Sequence, residues 1–333
     1  MKILIAGPEL VTKDDRFIDE KSWLFMKAFE RAGIETGYFA YRLDGMFRFV
    51  ENDKHLKRLW HHIMNKRLLG CVMRTRPDIL ALFKAGPIEA DTLREIRKRT
   101  DTIIINVMND NPILMGNFNA IAPCHYYFVK DTYVLECLRK TGFRNVHYLP
   151  QCADPAVRKP LKLDAADMGI FSSNLMIMGS MYPYRLRLVE ELLDFKPAIW
   201  GTGWTRTDNA IRKLYKGRGV WGTNKTKAIC GAVISLNPHH PLNDIKGTQG
   251  RTFDIAACGG FQIAEYKEDM EDLFRVGKEI ICYKTIDGLK SLIEYYLHHP
   301  DERSEISLAG HKRVLKDHTY DNRVRQILDM ANL

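Results

Sequence analysis

The chain has 333 residues, 45% of them hydrophobic and 27% charged, a globular balance too long for one ordinary core and suited to two domains of roughly 150 residues each. No apolar run reaches the roughly 18 residues a membrane span needs, and Met1-Lys2-Ile3-Leu4-Ile5-Ala6-Gly7-Pro8 runs directly into a strand-like segment, so the expectation is a cytoplasmic protein. The net charge of +9 is uneven: Arg42 to Arg76 carries nine Lys or Arg against Asp44, Glu51 and Asp53. Phe47, Phe49 and Trp60 interleave with those cations. Region 42–76 therefore reads either as a basic surface for an anionic acceptor, lipid headgroups or nucleic acid, or as a solvated helix face.

Taken in order, Ile3 to Ala6 is a strand ending at Gly7-Pro8, and Phe25, Ala28, Phe29 and Ala32 mark a helix stopped by Gly33. Tyr38 to Tyr41 predicts a second strand, Asn52 to Leu69 a basic helix, Asp78 to Phe83 a buried strand and Ile88 to Arg97 a helix. Thr102-Ile103-Ile104-Ile105-Asn106-Val107 is a β-branched run of the kind buried on both faces of a parallel sheet, and it ends at Asn109-Asp110-Asn111-Pro112. His125 to Val129, Tyr133 to Arg139 and Val146 to Leu149 continue the alternation as strand, helix and strand. The first half is thus a doubly wound α/β unit.

From Ala153 to Asp167 periodicity lapses, which places a domain boundary near 160/161. A second alternating unit follows: apolar residues from Met168 to Met178 before Gly179-Ser180, a helix from Arg185 to Leu193, and strands at Ala198–Gly201 and Ala232–Asn237. A helix beginning near Arg251, strands at Phe261–Ala264 and Ile280–Tyr283, and a helical C-terminus complete it. Leu289, Leu292, Ile293, Tyr296 and Leu297 repeat with helical period, Pro300 ends that helix, and Asp301 can cap the next.

In α/β units ligands bind where loops leave the strand C-termini. Gly7, Asn109 and Asp110 are the candidates of the first domain. In the second, Gly179 and Ser180 offer unobstructed backbone N–H groups to a phosphate, and Arg185 follows five residues on. Arg251 and Asp254, at i and i+3 of a helix closed by Gly259-Gly260, lie on one face; Asp254 is expected in the first turn, where the dipole favours it, and the pair suits either a ligand or plain capping. Asp110 can act as a base, orient an acceptor or close an Asx turn. Seven scattered cysteines without a Cys-x-x-Cys pair, and adjacent histidines such as His61-His62 and His239-His240 that point to different sides of an element, predict no metal centre. There is no Asp-x-Asp, P-loop, Gly-x-Gly-x-x-Gly or Gly-x-Ser-x-Gly. A nucleotide held without metal or other cofactor, through main chain and basic side chains, fits what remains.

The stretch from Val233-Ile234-Ser235-Leu236-Asn237 through Gly250-Arg251-Thr252-Phe253-Asp254-Ile255-Ala256-Ala257-Cys258-Gly259-Gly260 resembles the spore maturation protein CgeB-like glycosyltransferases. So do Tyr295-Tyr296-Leu297, Pro300 and His318-Thr319-Tyr320 with Arg323 near the C-terminus. Asp110-Asn111-Pro112 and Tyr148-Leu149-Pro150-Gln151-Cys152-Ala153-Asp154-Pro155 match more loosely. The resemblance implies a GT-B fold, two Rossmann-like domains facing a central cleft, with residues 1–160 on the acceptor side and 161–333 holding a nucleotide sugar, UDP-linked by preference. It implies no metal requirement, a diphosphate contact at Arg251 beside Gly179, Ser180 and Arg185, and Val220-Trp221 against the base. Asp254 stands where the family has Glu for the ribose hydroxyls and is shorter by one methylene. The implied activity is transfer of a sugar to an unidentified acceptor, with retention preferred and Asp110 facing that acceptor. A nucleotide-sugar epimerase or hydrolase on the same fold, or a non-enzymatic binder of anionic polymers, is the alternative.

Overall fold

The computed structural model of the chain describes residues 1–8, 20–42, 53–115 and 118–332. Arg48, Phe47, Phe49, Asp44 and Glu51 of the basic region lie outside them. The chain forms two compact units, Met1–Pro150 with Tyr320–Leu333, and Gln151–Thr319. The change of unit thus comes before the expected 160/161 boundary, and the last helix belongs to the first unit.

In the first unit, β1 (Lys2–Pro8), β2 (Glu35–Arg42), β3 (Ile79–Phe83), β4 (Ile103–Met108), β5 (Tyr126–Val129) and β6 (Val146–Tyr148) form one sheet in the order β2-β1-β3-β4-β5-β6. Every pairing is parallel. The five residues of β3 are all buried, which is why the run is apolar without alternation. Helices α1 (Glu20–Arg31), α2 (Lys54–Thr75), α3 (Ala90–Arg99), α4 (Pro112–Met115) and α5 (Thr132–Lys140) connect the strands. Asp53 caps α2 and Asp131 caps α5 through hydrogen bonds to backbone N–H groups.

The second unit repeats the plan. Strands β7 (Ser173–Met178), β8 (Ala198–Trp200), β9 (Ala232–Asn237), β10 (Gln262–Glu265) and β11 (Ile281–Tyr283) stand in the order β11-β10-β9-β7-β8, again parallel throughout. Its helices are α6 (Ala165–Phe171), α7 (Pro183–Glu190), α8 (Asn209–Leu214), α9 (Gly222–Cys230), α10 (Gly250–Ala257), α11 (Met270–Leu273), α12 (Ile286–His298) and α13 (Pro300–Asp317). In both sheets the first strand lies between the second and the third, so the order of winding reverses there and leaves a crevice at the strand carboxyl ends.

Several sequence expectations change. The apolar stretch before Gly179 divides into α6, which buries only Phe171, and β7 at Ser172, because a short apolar run does not tell helix from strand by its period. Asp301 is not a cap: Pro300 is already the first residue of α13, where its missing N–H costs nothing. Helix α9 has no counterpart among the sequence expectations, since Gly222, Thr223, Asn224 and Thr226 give its start little helical character. The last helix, α14 (Tyr320–Ala331), packs into the first unit through the Phe25–Tyr320 ring pair at 4.9 Å and the Arg323 Nε donation to Pro150 O at 2.7 Å. Among the described residues, no helix is long and apolar enough to cross a membrane.

Candidate functional site

The crevice of the second sheet lies between β7 and β9, and the residue that leaves β7 is Gly179, at φ +134°. A Cβ there would meet Arg185 Nη1 at 2.6 Å and Arg251 Nη1 at 2.9 Å. Two guanidinium groups therefore converge on one glycine, one from α7 and one from α10. Gly201 makes an equally close approach from β8, since its Cβ would lie 2.0 Å from Gly179 O. Trp204 Nε1 donates to Gly179 O at 2.9 Å, and Met181 N–H donates to Thr202 O at 2.8 Å. The turn that carries exposed Ser180 is thereby fixed before any ligand arrives.

Each arginine is oriented by neutral groups. Arg185 is buried, donates to Ser180 O and lies 4.3 Å from the centre of the Tyr182 ring, while its Nε has no partner. Arg251 donates from Nε to Asn237 Oδ1 at 2.9 Å and from Nη2 to Pro238 O at 3.2 Å. Asn237 is inaccessible to solvent, and its amide also bonds Thr252 Oγ1 and Gln262 Oε1, each at 3.0 Å. Gln249 reinforces this centre by donating to Asn237 Oδ1 at 3.1 Å and Pro238 O at 2.8 Å. The structure thus places Asn237 beneath Arg251 as its support. Among the described residues neither arginine forms an ion pair with a carboxylate. Burial first and the charge of Arg185 second push the Arg251 guanidinium below its ordinary value, and burial does the same to Arg185. Two partly desolvated like charges at a strand carboxyl end suit a phosphate or diphosphate, whose approach relieves their repulsion.

Asp254 serves a different group of partners. Helix α10 begins at Gly250 with no acidic residue in its first turn, so the expected dipole stabilisation of Asp254 is not its role. Its carboxylate meets Lys225 Nζ of α9 at 2.5 Å and Arg158 Nε at 3.5 Å. Arg158 is buried and donates to Gly222 O at 3.2 Å and Thr226 Oγ1 at 3.4 Å. Beside this cluster, Val220 is buried in the core with Trp200 and Ile229, whereas Trp221 is exposed with its indole laid against Gly219. Of the proposed base contacts, only Trp221 offers a free ring face.

In the first sheet the crevice lies between β1 and β3. Gly7 approaches Tyr38 so closely that a Cβ would stand 2.4 Å from its hydroxyl. Lys84 and Ala85, which follow β3, both have positive φ, +65° and +51°, a conformation that L residues adopt at a cost. It aims Lys84 at Asp110, with Nζ to Oδ2 at 2.7 Å. Burial would raise the Asp110 carboxyl, but Lys84, Lys21 and Lys130 together outweigh it and hold the group below the usual carboxylate range. Asn109 is buried beside it.

Sequence reasoning did not find Lys84, Arg158, Lys225, Tyr182 or Gln249. Lys225 and Arg158 left no local signal, because they meet Asp254 only after folding. A separate cavity of about 490 Å³ lined by Cys230, Cys258, Phe261, Arg303 and His311 lies at the amino ends of β9 and β10, on the opposite edge from the arginine pair.

Residues 185–329 match the family described as Glycosyl transferase-like. The chain is 27% identical over 202 residues to the Spore protein CgeB of Bacillus subtilis (strain 168), covering 55% of this chain and 60% of that protein. It therefore spans about three fifths of that relative's length, and the CgeB resemblance read from the sequence is borne out. Among solved structures, sucrose-phosphate synthase from Thermosynechococcus elongatus is similar with a TM-score of 0.72 at 10% identity, over 99% of this chain and 98% of that one. Anabaena HepE in complex with UDP-glucose is similar with a TM-score of 0.68 at 11% identity, over 100% and 99%. These likenesses show the GT-B fold.

Proposed function

We propose that this chain, with a glycosyl transferase-like domain over residues 185–329, is a glycosyltransferase that moves a sugar from a UDP-sugar to an acceptor hydroxyl without a metal ion. The observation that carries the reading is the convergence of Arg185 and Arg251 on Gly179, with neither arginine in an ion pair among the described residues. The diphosphate of the donor lies against both guanidinium groups and the Ser180 turn. Trp221 faces the uracil, and Asp254, held by Lys225 and Arg158, takes the ribose hydroxyls. The bond from the sugar C1 to the diphosphate oxygen breaks, and its electron pair leaves with the diphosphate, whose growing charge the two arginines stabilise. The acceptor oxygen bonds to C1, and its proton ends on the departing diphosphate.

The first unit takes the acceptor. Asp110, already paired with Lys84 and weakly basic, suits holding a hydroxyl in place better than removing its proton, which supports retention of configuration. All seven cysteines are free, which suits work in the reducing cytoplasm.

Calorimetric titration with UDP and a panel of UDP-sugars tests the donor. Binding weakened by roughly tenfold or more in Arg251→Ala at unchanged melting temperature supports the reading, and equal binding in wild type and variant overturns it. UDP release that depends on added acceptor separates transfer from hydrolysis, and persistence of activity in chelator checks the metal-free step.

A further inference from the structure

Helix α2 is longer than the sheet it covers. Its 22 residues span about 33 Å, whereas a strand the length of β3 spans roughly 17 Å. Its buried side chains, Met64, Asn65, Leu68 and Val72, all belong to the later part of the helix. Asn65 marks the carboxyl edge of the sheet: its amide donates to Pro87 O at 2.9 Å and its Oδ1 accepts from Glu89 N–H at 2.9 Å, both in the loop that leaves β3. The residues before it project past that edge.

This projecting part carries two kinds of side chain. Trp60 is partly buried against the core, but Leu56, Leu59 and Ile63 are 43%, 56% and 40% exposed. At about 100° per residue, these three form one stripe, on the side of the helix opposite Met64, Leu68 and Val72. Lys66 and Arg67 flank the stripe, and Lys54, Lys57 and Arg58 surround its start. The helix sequence contains no Asp or Glu, and among the described residues none of those five cations forms an ion pair.

We propose that the N-terminal part of α2 is a docking surface for an anionic lipid bilayer. A helix face built only for solvent has no use for three outward aliphatic side chains. Nucleic acid satisfies the cations but gives the aliphatic stripe no apolar layer. A bilayer interface supplies both, taking the stripe below the headgroups and leaving the lysines and arginines among the phosphates. The surface is independent of the donor reading and needs no nucleotide.

Sedimentation of the full chain with vesicles of phosphatidylglycerol and phosphatidylcholine, beside vesicles of phosphatidylcholine alone, tests this directly. Partitioning onto the mixed vesicles is expected to exceed that onto the neutral ones at least tenfold. Leu56→Ser/Leu59→Ser/Ile63→Ser is expected to lower it about tenfold with the melting temperature unchanged, since these side chains are already exposed. Lys57→Gln/Arg58→Gln should lower it by roughly fivefold for each cation and leave binding to neutral vesicles as it was. No sedimentation with anionic vesicles overturns the proposal, as does a serine variant that sediments like wild type. Binding to an oligonucleotide, but not to anionic vesicles, also overturns it. A chain that binds these vesicles and ignores UDP would keep this surface and lose the donor reading.

Discussion

The two sheets share one winding order and one kind of crevice, yet they fill it with opposite electrostatics. At the β7/β9 crevice two arginines meet over Gly179, and among the described residues neither is in an ion pair, although Asp244 acts on both from a distance. Next to the β1/β3 crevice Lys84 and Asp110 neutralise each other at 2.7 Å. Cations hydrogen-bonded to neutral groups such as Asn237 and Ser180 keep more of their attraction for an incoming anion than cations in a direct ion pair do. A satisfied ion pair has little left for a charged ligand and can still exchange hydrogen bonds with a hydroxyl. The same scaffold can thus hold a charged donor in one unit and an uncharged acceptor in the other.

The comparison breaks most visibly at Gly179. Gly179→Ala is expected to lower UDP affinity by about a hundredfold, because the new methyl displaces both guanidinium groups from a backbone position at φ +134°. Calorimetric titration checks this, and undiminished affinity would show that the arginine pair is not the phosphate site. Arg251→Ala follows with a loss of roughly tenfold to a hundredfold, the scale of one charge-assisted contact. The corresponding exchange at Lys84 should leave UDP affinity unchanged.

Asn237→Ala sharpens the difference between holding a ligand and holding the residue that holds it. Removal leaves Arg251 Nε, Thr252 Oγ1 and Gln262 Oε1 each without the partner Asn237 gives them, a cost of about 1–3 kcal/mol. Denaturant unfolding should report that loss of stability together with weaker UDP binding. Unimpaired stability would mean that the centre is less tightly coupled than its hydrogen bonds indicate.

Much of this contrast was legible in the sequence. Continuous apolar runs announced parallel strands, and Gly179, Arg185 and Arg251, singled out together in the sequence, do meet in the fold. The hidden parts depend on distance along the chain. Arg158 lies in a stretch without periodicity, and Lys225 in a polar helix, so neither announced its meeting with Asp254. Asp254 itself was misread because the helix starts at Gly250 and puts it beyond the first turn. Lys84 was equally silent, since what aims it at Asp110 is a positive φ that no residue type at that position signals. Helix α2 bears apolar residues on two opposite faces, so a single-face pattern could not separate the core-facing residues from the outward stripe.

Asp110→Asn is the smallest expected effect and tests the neutralised side of the comparison. The folded-state carboxyl lies below its unfolded value of about 3.9, so the charged form is the one that folding favours. Its contribution is present above that unfolded value and is lost as pH falls through the lower, folded one. Lys84 and Asp110 are 43% and 28% exposed, and solvent screening keeps the contribution below about 1 kcal/mol. Thermal melts at neutral pH should therefore place Asp110→Asn slightly below wild type, with the two curves converging as the pH falls through the lowered, folded-state value. A gap that persists in strong acid would locate the role of Asp110 in hydrogen bonds of its neutral form, and the electrostatic contrast between the two crevices would lose its second half.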